Sequence, residues 1–281
     1  MPRADRTSPA TAAPATGAER RSDRLPGRRK PPPPTVVVLV RHGTTTTTGR
    51  ELPGRAPGLH LSDQGRDQAE RVAARIAGMA GLTTGDPPAD GERTAAGAAA
   101  DAGAAPPDGR GRHRGRAKAP AGPTVTAVYA SPLERTRETA APIAARLGHD
   151  VVVDDGLVEL DVGEWTGIEL KAARKRKEWA TIQRYPSGFT FPGGESFVAM
   201  QARITDTLAR LRVAHPGETI VAVSHADPIR AAVAHAMGTH LDLFQRVVVS
   251  PCSITAIAYG DEGPTVLTVN DTAATGALVP S

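Results

Sequence analysis

Thr35-Val36-Val37-Val38-Leu39-Val40 runs directly into Arg41-His42-Gly43, and this stretch decides the fold. A β-branched threonine followed by an unbroken aliphatic run leaves no polar face. That is the pattern of a strand covered on both sides. Two other runs read the same way. Residues 125–130 lead into Ser131-Pro132-Leu133-Glu134-Arg135, and residues 220–223 lead into Ser224-His225-Ala226-Asp227. Helical patterns separate them. Ser62 can cap a helix to about residue 78, with Val72, Ile76 and Met79 on one apolar face. Ser131 and Pro132 supply an N-cap and a first-turn proline for a helix ending near Gly148, and Pro142 should kink it. Residues 151–153 read as a short strand, and residues 195 to about 215 as a long helix with Phe197, Ile204, Leu208 and Leu211 on its apolar face. A helix over 227–237 follows the strand at 220–223. Runs 254–259 and 265–269, around a turn-rich 260–264, read as a closing hairpin. Strands alternating with helices predict an α/β fold, a three-layer α/β/α sandwich on a mostly parallel sheet.

Composition sets the limits of that domain. Phe, Trp and Tyr make only 3% of the 281 residues, so aliphatic side chains must build the core. Residues 1–34, basic and rich in Pro and Ala, are expected to be a disordered tail ending in the run 31–34. The domain is expected over 35–272, with 83–123 as a disordered insert and 273–281 as a flexible end. The net charge of +4 is unevenly spread. Residues 1–35 hold eight Lys/Arg against three Asp/Glu, and 84–123 hold six against five, so the remainder is net −2. Basicity therefore belongs to the tail, and without interleaved aromatics a nucleic-acid partner is not expected. No apolar stretch reaches the roughly 18 residues of a membrane span, so no membrane partner is expected. The single cysteine, Cys252, and the lack of a secretory apolar region point to the cytoplasm.

The strand ends carry the chemistry. In open α/β sheets, ligands bind beyond the carboxyl ends of the strands. If the three buried strands are parallel neighbours, one crevice receives His42, His225, Arg41 and Arg135, together with positive helix ends. Such a pocket suits a dianion, and phosphate is the natural candidate. Two guanidiniums can neutralise its oxygens through forked hydrogen bonds, without a metal. An imidazole flanked by Arg41 and Arg135 stays neutral and can attack phosphorus. Gly43 would let the backbone approach the ligand closely. One carboxyl group can protonate the leaving alkoxide and later deprotonate water. Zinc on the two histidines is the rival reading, but no further His, Cys or Asp stands at ligand spacing. Neither a metal nor another cofactor is expected.

The residues also resemble a known family. Residues 38–43 resemble the Arg-His-Gly signature of the histidine phosphatase superfamily, the phosphoglycerate mutase-like family. Residues 131–136 with Thr139-Ala140 look like its second block. Leu157-Val158-Glu159 with Gly163, Trp165 and Gly167 resemble the acid/base block, Pro192-Gly193-Gly194-Glu195-Ser196 the loop opening the long helix, and residues 224–227 the second-histidine block. The resemblance implies that His42 becomes phosphorylated, that Arg41, Arg135 and His225 hold the phosphoryl group, and that Glu159 carries the proton. Asp161 and Glu164 are rivals for that last role. Where the family commonly has asparagine, Thr48 stands here and would bring a hydroxyl to the substrate. The basic stretch 171–185 fits a lid or recognition element as well as a solvated helical face. The implied activity is phosphomonoester hydrolysis, with a small-molecule substrate. A phosphomutase and a non-catalytic phosphate-binding protein on the same fold are the alternatives.

Overall fold

The computed structural model describes residues 32–80 and 124–273. The expected insert at 83–123, nearly all of the expected tail 1–34 and the end from 274 onward lie outside the described residues. Six strands form one sheet: β1 Thr35–Arg41, β2 Val125–Ala130, β3 Val151–Val153, β4 Thr219–Ser224, β5 Ile254–Gly260 and β6 Gly263–Asp271. Their order is β3-β2-β4-β1-β5-β6. The first four run parallel, and the hairpin β5–β6 is added antiparallel beside β1. The helices are α1 Asp63–Met79, α2 Glu134–Leu147, the short α3 Leu170–Ala173 and α4 Trp179–Arg184, then α5 Phe197–Ala214 and α6 Ala226–Ala236.

The uninterrupted apolar run of β1 is explained by helices on both faces. Val38 and Val40 point into a core built with Val72 and Ile76 of α1 and Ile143 of α2. Val37 and Leu39 point the other way, into a core with Leu208 of α5, Ile229 of α6 and the aromatic group Trp165, Phe191 and Phe197. This period-two alternation with both sides buried gives the three layers. Among the described residues no helix is long and apolar enough to cross a membrane.

Register is what matters for function. Arg41 lies opposite Ser224, while Val40 and Ala130 both lie opposite Val223. The carboxyl ends of β1, β4 and β2 are therefore flush and adjacent, with neighbouring strands about 4.8 Å apart. Whatever follows each strand by one residue must meet at one edge.

Some local expectations change. Ser131 does not cap α2; the helix starts at Glu134 with Leu133 at the cap and no side-chain cap bond. The Ser131 hydroxyl is engaged elsewhere, as described below. The end of α2 is as expected: the helix contains Pro142 and closes at Gly148, whose φ of 71° lies in the left-handed region. Helix α5 begins after Ser196, whose Oγ accepts the Ala199 N–H, rather than at Glu195. Gly43 is also needed for packing. A Cβ there would stand 2.6 Å from the Gly65 carbonyl oxygen, on the first turn of α1.

Candidate active site

His42 follows β1 and is anchored by its own N–H, donated to the Ser224 carbonyl at 3.0 Å. Its ring Nδ1 lies 2.7 Å from the Gly43 carbonyl oxygen. A carbonyl only accepts, so Nδ1 carries the proton and Nε2 keeps a free lone pair. The ring is buried, and its pKa is held well below the usual histidine value. Burial is the largest cause, followed by Arg41 and Arg135, while the Gly43 hydrogen bond opposes them. The sequence reading named the arginines; desolvation outweighs them because the flush strand ends bury the ring.

His225 occupies the matching position after β4 and is fully buried. The two rings face each other edge-on, with centroids 5.2 Å apart. His225 Nε2 lies 2.8 Å from Ser131 Oγ, at the end of β2. That contact is why Ser131 is not available to α2. His225 too is held well below its usual pKa, by burial first and then by Arg135, His42 and Arg41.

The arginines enter from two sides. Arg41, the last residue of β1, donates Nη1 to the Val249 carbonyl at 2.7 Å. Arg135, in the first turn of α2, is fully buried and donates Nη2 to the Gly54 carbonyl at 2.8 Å. Thr139, one turn further along α2, accepts the Gly43 N–H and donates to the Arg135 carbonyl, tying the helix to the loop after His42. Arg41 Nε, Arg135 Nε and Nη1, and His225 Nδ1 are buried and have no hydrogen-bond partner among the described residues. Leaving a buried polar group unsatisfied costs about 1–3 kcal/mol, more for a charged one. Four such atoms around one imidazole form a cradle matched to an anion with several acceptor oxygens.

Glu159 brings the carboxyl group. Its Oε1 accepts the Leu160 N–H at 2.9 Å, and its Oε2 lies 3.8 Å from His225 Nδ1. Burial, then the Asp227 charge, push its pKa up to about 7, against the pull of Arg135 and Arg41. Of its two rivals, Asp161 turns away to accept the Gly163 N–H and face Arg55, and Glu164 is exposed. Thr48 hydrogen-bonds within its own loop. Its hydroxyl accepts the Thr45 N–H at 2.9 Å and lies 3.0 Å from Thr45 Oγ1. Among the described residues no hydrogen bond joins Thr48 to the two arginines or the two histidines.

A supporting group was invisible in the sequence. Arg203 of α5 donates Nη1 to the carbonyls of Gly156 and Val158 at 2.9 and 2.8 Å and Nη2 to that of Glu159 at 3.4 Å. Arg55 donates Nε to the Glu159 carbonyl at 2.8 Å. Glu195 holds both arginines, accepting Arg203 Nε at 3.0 Å, Arg203 Nη2 at 2.9 Å and Arg55 Nη2 at 2.9 Å. The backbone of Glu159 is thus clamped from two sides. Glu195 was visible as part of the 192–196 loop, but nothing in its spacing joins it to Arg55 or Arg203.

Comparisons with known proteins agree with this fold. The family model described as histidine phosphatase superfamily (branch 1) matches residues 37–83 and 107–272. A bifunctional protein of Mycobacterium tuberculosis is 35% identical over 150 residues, 53% of this chain and 41% of its own length. Phosphoserine phosphatase 1 of Hydrogenobacter thermophilus is 32% identical over 119 residues, 42% of this chain and 56% of its own length. The chain spans about half the length of the curated relatives it matches. Among solved structures, a phosphoserine phosphatase variant from Entamoeba histolytica superimposes with a TM-score of 0.64 at 20% identity, covering 85% of this chain and 98% of that one. A mycobacterial glucosyl-3-phosphoglycerate phosphatase gives 0.63 at 20% identity, covering 84% and 98%. Those two likenesses establish a shared fold, and the family match takes in the strand-end residues that make the cradle: the chain belongs to the histidine phosphatase superfamily.

Proposed function

We propose that the chain is a phosphomonoester hydrolase that works through a phosphohistidine on His42 and needs no metal. The observation that carries this reading is the neutral His42 ring, its Nε2 lone pair free, set among buried guanidinium and imidazole nitrogens that lack protein acceptors. Arg41, Arg135 and His225 hold the phosphoryl oxygens and offset their charge, which otherwise repels a nucleophile. Nε2 attacks phosphorus, the P–N bond forms as the P–O ester bond breaks, and Glu159 passes its proton to the departing alkoxide. The positive charge gained by the ring is shared through Nδ1–H with the Gly43 carbonyl. Glu159, now a carboxylate, takes a proton from water as that water attacks phosphorus. Inorganic phosphate leaves and His42 returns to its neutral form. A carboxyl group titrating near 7 is suited to give and take a proton at neutral pH.

Small phosphomonoesters are the substrate class we assign. Two solved structures of this fold are complexes with phosphoserine and with 3-phosphoglyceric acid. The test is hydrolysis of nitrophenyl phosphate in excess chelator by wild type and by His42→Ala. Phosphate release should survive chelation and vanish in the variant. A requirement for added metal would defeat the reading, and transfer to an acceptor alcohol outrunning hydrolysis would replace it with a mutase.

A further inference from the structure

Strand β5 runs antiparallel to β1, so the start of β5 lies at the edge where Arg41 and His42 stand. The pairing fixes which side chains share a face. Val37 and Leu39 lie opposite Ile257 and Thr255, and Val40 lies opposite Ile254. Val37, Leu39 and Ile257 enter the core on the α5 and α6 side, whereas Val40 and Ile254 enter the core on the α1 and α2 side. One further step sets Arg41 opposite Ser253, and the Arg41 N–H is donated to the Ser253 carbonyl at 3.4 Å. By the same alternation both side chains leave the sheet on the α5 and α6 side, with opposed Cβ atoms about 4.5–5.5 Å apart. Leu157 and Leu160, on either side of Glu159 in the chain, are buried on that side too.

The turn that delivers Ser253 is closely braced. Val249 offers its carbonyl to Arg41 Nη1 at 2.7 Å, and the Ser250 N–H is donated to Asn270 Oδ1 at 2.6 Å. Cys252, at a φ of 53° that a non-glycine residue seldom adopts, donates its N–H to the Arg41 carbonyl at 3.0 Å. The Ser253 N–H is donated to the Ser250 carbonyl, also at 3.0 Å. The Ser253 hydroxyl is the exception. The residue is 1% exposed, and its Oγ has no hydrogen-bond partner among the described residues. A buried hydroxyl left unpaired is costly, and alanine would avoid that cost in the same space. Its oxygen could accept from Arg41 Nε, which is unpartnered too, yet the two are not bonded. Each is thus available to a further acceptor, and one anion oxygen beside Arg41 can accept from both.

We propose that Ser253 is a further phosphate-binding residue, its hydroxyl donating to the phosphoryl oxygen that Arg41 Nε holds. The proposal rests on the hydrolase reading above, since it takes the same anion as the occupant of the cradle. The experiment measures binding of inorganic phosphate by calorimetry, turnover of nitrophenyl phosphate, and thermal melts without phosphate. Ser253→Ala should weaken phosphate binding by about tenfold and lower kcat/KM by a similar factor. Without phosphate it should melt no lower than wild type, because it loses only an unpaired group. Thr255→Val is the control. Thr255 lies on the same face two residues further along, and its Oγ1 already accepts the Asn270 N–H at 3.3 Å. That variant should melt lower and bind phosphate as wild type does.

Unchanged phosphate affinity in Ser253→Ala, or an equal loss in Thr255→Val, would overturn the assignment. A lower melting temperature of Ser253→Ala without phosphate would overturn it as well, by making the hydroxyl a structural group. Turnover by Ser253→Ala at the wild-type kcat/KM would remove Ser253 from the cradle and leave the hydrolase reading standing. Phosphate binding that depends on Ser253, in a wild-type protein that does not turn over nitrophenyl phosphate, would instead overturn the hydrolase reading and keep Ser253 in the anion site.

Discussion

At the scale of single residues, two opposite pKa displacements share one pocket. His42 and His225 are pushed down and Glu159 up, and burial is the largest cause for all three. The neutral form of each is therefore favoured, which suits the proposed nucleophile and acid to work together near neutral pH. Glu159→Gln should lower kcat on an alkyl phosphate by roughly a hundredfold and on nitrophenyl phosphate far less, because nitrophenolate leaves without help. Equal losses in the two steady-state assays would take Glu159 out of the donor role. Turnover of the alkyl ester by wild type should also decline as pH rises through about 7, where Glu159 loses its proton. Stability follows the same linkage. A carboxyl group whose pKa is raised on folding contributes fully below its unfolded value, about 4.5, and that contribution is lost as pH climbs through about 7. Glu159→Gln should therefore gain on the order of 2 kcal/mol relative to wild type between pH 5 and pH 8, read from denaturant melts at each pH. Glu159 is also where sequence reading reached its limit. Three acids lie within six residues of chain, and only the turn taken by each side chain separates them.

At the scale of elements, a single 3-10 turn over Asp155–Leu157 and the irregular chain after it carry Glu159 beside the pocket. Their carbonyls are fixed by Arg203 and Arg55, and both arginines depend on Glu195. Arg203→Lys removes the fork that reaches three carbonyls at once. Activity on alkyl phosphates should fall roughly tenfold or more through misplacement of Glu159, with a smaller loss on nitrophenyl phosphate. Glu195→Gln should lower stability by roughly 2 kcal/mol, since Arg203 loses its counter-charge and Arg55 keeps only the longer contact to Asp161, and thermal melts measure it. This clamp was unreadable because an arginine on a long helix looks solvated until its neighbours in space are known. The strands and most helix ends were legible for the converse reason. Continuous aliphatic runs, and a cap such as Ser62, record local requirements. Ser131 misled because its hydroxyl serves a neighbour in space, His225, rather than its own helix. Gly43→Ala should destabilise by roughly 1–3 kcal/mol, from the contact with the Gly65 carbonyl, and lower activity with it, because His42 is the adjacent residue.

At the scale of the whole molecule, the chemistry is concentrated between Arg41 and His225, and the family match begins at residue 37. A chain lacking residues 1–31 should hydrolyse nitrophenyl phosphate at the wild-type rate, which a direct kinetic comparison would check. The parallel sheet and its two covering layers could be read from the alternation of strands and helices. The order β2-β4-β1, on which the convergence depends, could only be posed as a condition, because strand order is a long-range property. The flush register of those three strands has a further consequence. On the proposed mechanism, nucleophile and cradle come from distant parts of the polypeptide, so no early folding intermediate holding only one of them can turn over substrate. Catalytic competence should therefore appear late in refolding and vanish together with the last tertiary signal on a denaturant titration, making turnover a reporter of cooperative assembly.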